Sequence, residues 1–186
     1  MANINDFKAK LAGGGARANQ FKVTMPFPGY SQVGGEIEEL AFLCKTTQLP
    51  AMNIPSFTVP FRGRQIKIAG DRTFGEWTVT IMNDEDFLVR NAMEQWMASI
   101  NSHEGNVTQL GTASASEYKA QAQITQYSKT GAPLRTYNFN GLFPTNIAAI
   151  GMDWNTTDDI ERFDVTFQYD WWNVSGGVTG DGGTNE

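Results

Sequence analysis

The residues able to do chemistry stand apart from one another in this chain. Its one histidine, His103, lies in a polar stretch, and no second histidine or cysteine cluster is spaced to complete a zinc site. Its one cysteine, Cys44, follows the apolar run 40–43, the setting of a small buried hydrophobe rather than of a reactive thiol. Asp153, Asn155, Thr157 and Asp159 repeat at every second position, as calcium-loop ligands do, but the glycine such a loop needs at its sixth position is missing. A hairpin turn in which Asx and Thr side chains bond the local backbone accounts for the same four residues. The glycines at 13–15 follow no strand pattern and lack the Lys-Ser/Thr ending of a phosphate-binding loop. Carboxylates are numerous, yet no spacing singles out a pair for acid–base work. The expectation is no enzyme, no cofactor and no metal. Arg62 and Arg64, flanking Gly63, remain, and such a tip suits a phosphate or acidic groups on a neighbouring molecule.

Composition bounds what could position these groups. With 186 residues, 40% hydrophobic and 12% aromatic, the chain suffices for one domain that buries well over half of its unfolded surface. Its 19 glycines and 18% charged residues fit a turn-rich β-protein better than a helical bundle. The formal net charge of −6 argues against a grip on nucleic acid, whose affinity comes from clustered Lys and Arg. No apolar run approaches the roughly 18 residues of a membrane span, and residues 1–10 carry charge where a secretion signal would be apolar. A soluble protein made in the cytoplasm, without membrane insertion, is expected.

Periodicity supplies the elements. Ile4, Phe7 and Leu11 have helical spacing and precede the glycines, so residues 1–20 read as an arm on a joint. Phe21, Val23, Met25 and Phe27 alternate with polar residues as a half-buried strand does, and residues 39–49, apolar at first and ending before Pro50, read as a second. A β-hairpin over about 55–69 has Gly63 in its turn, and Pro55 and Pro60 confine it to a position where ladder donors are dispensable, so it projects. Trp77, Val79 and Ile81 mark a strand, and Asn83-Asp84 offers an N-cap for one flanking helix over about 84–101 with a single apolar stripe. Further strands are expected over 118–127 and 134–140, the latter closed by Gly141-Leu142-Phe143-Pro144. Ile150, Met152 and Trp154 alternate, and 163–171 is the longest strand pattern. The five tryptophans read as core. The fold class is mainly β, a sandwich or barrel over 21–172, with a flexible Gly-rich tail over 173–186.

The residues go further than periodicity. The run from Ile66-Lys67-Ile68-Ala69-Gly70-Asp71-Arg72-Thr73-Phe74 through Trp77-Thr78-Val79-Thr80-Ile81-Met82-Asn83-Asp84 closely resembles the tail tube proteins of contractile-tailed (myovirus) bacteriophages. So do Glu117-Tyr118-Lys119, Gly141-Leu142-Phe143-Pro144-Thr145-Asn146, and Met152-Asp153-Trp154 leading into 163–172, in the family's order. The resemblance implies a sandwich shared with type VI secretion tubes and a structural role in the virion tail, assembled in the host cytoplasm. It further implies homohexameric rings stacked into a tube that delivers DNA and templates the sheath. Partners would be the chain itself, the tail sheath protein, baseplate and tail terminator proteins, and the tape-measure protein and DNA in the lumen.

On that reading Phe57, Val59, Phe61, Arg62, Arg64, Ile66 and Ile68 are inter-subunit hairpin contacts, and Asp71 and Arg72 form the turn that positions the hairpin. Thr78, Thr80, Gln121, Gln123 and Thr125 are candidates to face the lumen. Three alternatives stand beside it: a tube-initiating baseplate homologue, the tube of a phage-derived injection particle, and, in a different class, a monomeric β-sandwich ligand-binding module.

Overall fold

The computed structural model describes residues 3–31, 34–108 and 114–175. In chain order these form α1 (Ile4–Lys10), β1 (Phe21–Thr24), α2 (Glu36–Leu43), β2 (Cys44–Thr47), β3 (Met52–Asn53), β4 (Ser56–Phe61), β5 (Arg64–Ala69) and β6 (Thr73–Phe74). There follow β7 (Trp77–Met82), α3 (Leu88–Ile100), α4 (Ala115–Tyr118), β8 (Ala120–Tyr127), β9 (Pro133–Ile147), β10 (Arg162–Gln168) and β11 (Trp171–Ser175).

Two antiparallel layers share one long strand. The front layer runs β1-β8-β9-β11 and the back layer β9-β10-β7-β2, because β9 pairs with β8 and β11 through its first part and with β10 through its last. The corner between the layers is Gly141, whose φ of +69° is open to glycine and strained for other residues. Asp170, in the link from β10 to β11, donates its backbone N–H to Asn140 O at 3.0 Å and accepts Lys119 Nζ at 2.7 Å. Alternation fills the space between the layers. Trp77, Val79 and Ile81 on β7 lie opposite Phe167, Val165 and Phe163 on β10, and Val23, Ala122, Ile124 and Phe139 face them from the front layer. Trp77 stacks on Phe139 with ring centroids 4.5 Å apart, and its indole N–H donates to Thr47 Oγ1 and Gln48 O, so the largest core side chain leaves no polar atom unpaired. Met93 and Trp96 of α3 and Leu40 of α2 close the core on its open side.

Several elements depart from expectation. Residues 36–43 are helical rather than the start of a strand. Glu36, Glu38 and Glu39 crowd the first turn, where the helix dipole favours acids, and Leu40 is buried between Ile37 and Leu43. The flanking helix begins at Leu88, behind a turn in which Phe87 adopts φ +54°, so Asn83-Asp84 is not its cap. The strand over 134–140 does not close at Gly141-Leu142-Phe143-Pro144 but runs on to Ile147. Residues 148–161 form no strand, and Trp154 there is fully exposed, Trp171 about half so. The pattern of 163–171 breaks at Asp170, and β11 runs from Trp171 to Ser175, past the expected domain end at Trp172. The rest of the expected tail, 176–186, lies outside the described residues.

Candidate assembly surfaces

β4 and β5 form the hairpin that the sequence places at 55–69. Phe57 pairs with Ile68, Val59 with Ile66 and Phe61 with Arg64, so the five apolar residues share one face, with Arg64 on the same face beside the turn. That face is open: Phe57 is 52% exposed, Phe61 59% and Ile66 51%. Arg62 and Gly63 both take positive φ, the two-residue turn whose twist matches antiparallel strands, and the Arg62 guanidinium lies over the Phe61 ring. At the root, Gly70 donates its N–H to Pro55 O at 2.7 Å, and β3 pairs with β6. Asp71 and Arg72 occupy the exposed connection from β5 to β6, with no side-chain hydrogen bond or ion pair among the described residues.

The lumen candidates divide between two surfaces. Thr78 and Thr80 alternate with the buried residues of β7 and therefore face outward from the back layer, where Thr80 donates to Asp164 Oδ1 at 2.6 Å. Gln121, Gln123 and Thr125 alternate with Ala122 and Ile124 and face outward from the front layer. There they continue into cross-strand rows. Thr24, Gln123, Asn138 and Asn173 stand side by side on the four strands, and Lys22, Thr125, Thr136 and Ser175 make the next row. Neither row contains a carboxylate. The β9 residues of these rows, Thr136 and Asn138, lie within the expected strand 134–140 and were open to the same alternation argument, while Asn173 and Ser175 of β11 lie past the expected domain end at 172.

The features that suggested chemistry have structural partners. Asp153 Oδ1 accepts from the backbone and the side chain of Asn155, as an Asx turn requires. Burial pushes the Cys44 thiol up to about 12, so it is protonated and inert at neutral pH.

The hairpin's apolar face is open and the outer face of the front layer is polar. The profile of phage tail tube proteins matches residues 16–175. The chain belongs to the phage tail tube protein family. Among its relatives, the tail tube protein of Enterobacteria phage T4 is 35% identical over 89% of this chain and 95% of its own length. That of Serratia phage KSP90 is 26% identical over 91% and 95%. In fold, this tail tube protein resembles the sheath/tube terminator of an extracellular contractile injection system, with TM-score 0.60, 17% identity and 86% and 96% of the two chains covered. It also resembles the tube-terminating cap of the anti-feeding prophage, with TM-score 0.59, 19% identity and 86% and 89% covered. As a tail tube protein the chain is a structural component of a virion tail of the contractile kind.

Proposed function

We propose that six copies of this chain close into a ring whose front layers join edge to edge, and that stacked rings make the conduit through which DNA leaves the virion. The front layer carries this reading. Its outer strands, β1 and β11, are both unpaired on one side among the described residues, and they run in opposite directions because three antiparallel pairings separate them. In a ring of identically oriented subunits, β11 of one copy meets β1 of the next as an antiparallel partner, and the front layer keeps no free edge. Four strands in each of six copies, about 4.8 Å apart, give a barrel about 37 Å across between backbones. The count of six comes from the resemblance.

The surface turned to the lumen is then the face of Gln121 and of the rows containing Gln123 and Thr125, not the face of Thr78 and Thr80. Neutral amides and hydroxyls hydrate well and offer a phosphate backbone few cations to stop it, which suits a duct better than a binding site. The hairpin docks on another subunit through Phe57, Val59, Phe61, Arg62, Arg64, Ile66 and Ile68, with Asp71 and Arg72 setting the angle at which it leaves the body. The outside of the tube carries the sheath, its ends meet baseplate and terminator proteins, and the tape-measure protein occupies the lumen before DNA does. No enzymatic step belongs to this function.

Negative-stain electron microscopy with light scattering over a concentration series tests it. Hollow particles with six-fold end views, alone or after addition of a nucleating baseplate, are expected. A particle of the single-chain mass of 20.5 kDa under every condition would refute the reading.

A further inference from the structure

An open groove lies at the other end of β7 from the hairpin. Where β7 ends and α3 is about to begin, this groove of about 590 Å3 opens between the end of α2 and residues 159–161. Leu43, Met82, Phe87 and Ile160 supply apolar walls, Phe87 46% and Ile160 63% exposed. Its rim is acidic, with Asp84, Glu85 and Glu161, and none of these three forms an ion pair among the described residues. The nearby Glu39 carboxyl is held above the usual carboxylate range, first by burial and then by Asp84, Asp86 and Glu36. The hairpin is the counterpart in each respect. Its apolar face is open, and its cations Arg62, Arg64 and Lys67 form no ion pair among the described residues.

Position agrees with chemistry. The hairpin root leads into the Trp77 end of β7, and the groove lies at the Met82 end of the same strand, about 17 Å away at 3.4 Å per residue. Complementary features at opposite ends of one subunit cannot satisfy each other within it, and between copies they make a head-to-tail contact that propagates instead of closing a dimer. We infer that the β4–β5 hairpin of one copy seats in the groove lined by Leu43, Met82, Phe87 and Ile160 of another, Phe61 toward its walls and Arg62 and Arg64 on its acidic rim. This rests on the tube reading and names the two surfaces by which subunits, and so rings, are held in series.

The test is disulfide cross-linking of assembled tubes on a Cys44→Ala background. With Phe61→Cys and Ile160→Cys in one chain, mild oxidation is expected to convert the single-chain band on a non-reducing gel into a ladder. Mixing chains that carry one cysteine each is expected to stop the ladder at the dimer. Should Phe61→Cys weaken assembly, Arg62→Cys paired with Glu85→Cys replaces it, since both are exposed and Arg62 seats on the rim that Glu85 helps form. Tubes that form normally but give no ladder, or that cross-link Phe61→Cys to Thr80→Cys instead, would overturn the groove while leaving the tube intact. If the unsubstituted chain makes no tubes even with a baseplate, the tube reading fails and this inference with it.

Discussion

Gly141 and Asp170 occupy one space. A Cβ added to Gly141 would overlap Asp170 Oδ2 and stand 2.6 Å from its Cγ, while the Asp170 backbone N–H is tied to Asn140 O. This contact sits where β9 passes from the front layer to the back, so the angle between the layers depends on it.

Gly141→Ala is therefore expected to destabilise the subunit by about 1–3 kcal/mol, from a left-handed backbone and a displaced carboxylate together. Lys119→Met, which removes only the partly exposed ion pair, should stay within about 1 kcal/mol. Urea melts of the unassembled protein measure both. Equal effects would mean that the corner is held by charge, not by the missing side chain.

Replacing Phe57 and Phe61 together by Asp should leave the melt unchanged, since both side chains are exposed in the subunit, and abolish tubes, since two carboxylates would enter an apolar contact without partners. Circular dichroism and negative-stain microscopy separate the two effects. Normal tubes from the double variant would remove the hairpin from the interface.

The two outward faces can be told apart by size exclusion of a reagent. On the Cys44→Ala background, Gln123→Cys should react with a bulky polyethylene-glycol maleimide as a free subunit and be protected in closed tubes, with Thr80→Cys labelled more readily in tubes than Gln123→Cys. The opposite protection would place the back layer on the lumen.

Glu39 offers a pH-dependent prediction. Its Oε2 has no hydrogen-bond partner among the described residues, and its folded-state pKa is raised by burial and by neighbouring acids. The folded chain thus binds this proton more tightly than the unfolded chain, so ionised Glu39 penalises the fold above its folded pKa and the penalty disappears as pH falls to the unfolded value. Glu39→Gln should raise Tm at pH 8 by more than at about pH 4, where the difference should vanish. A variant with the same Tm shift at both would show that charge is not the cause.

Much of the fold was legible because one face of each strand is apolar and the other polar. β7, the hairpin and α3 all carry patterns of a single period, and each appears in the structure. The misreadings have local causes. In 36–43 the contiguous run from Leu40 to Cys44 looks like a buried strand, and the acids at 36, 38 and 39 that mark a helix start directly precede it. At Gly141 the glycine does mark a change of direction, but the chain exchanges partners there without leaving the sheet. Alternation told which of Thr78, Thr80, Gln121, Gln123 and Thr125 lie opposite a core residue. It could not tell that two belong to one layer and three to the other, because that depends on β9 crossing between layers.

The exposure of Trp154 gives the molecule an optical handle of its own. Trp77 and Trp96 are sealed in the core, at 2% and 0% exposure, while the Trp154 indole is wholly in water at the centre of residues 148–161. Emission from the free subunit should therefore contain a red, acrylamide-quenchable component over a blue, shielded one. Any macromolecule that comes to lie on that loop, sheath or neighbouring ring, will report its arrival as a blue shift and a loss of quenching, with no label attached.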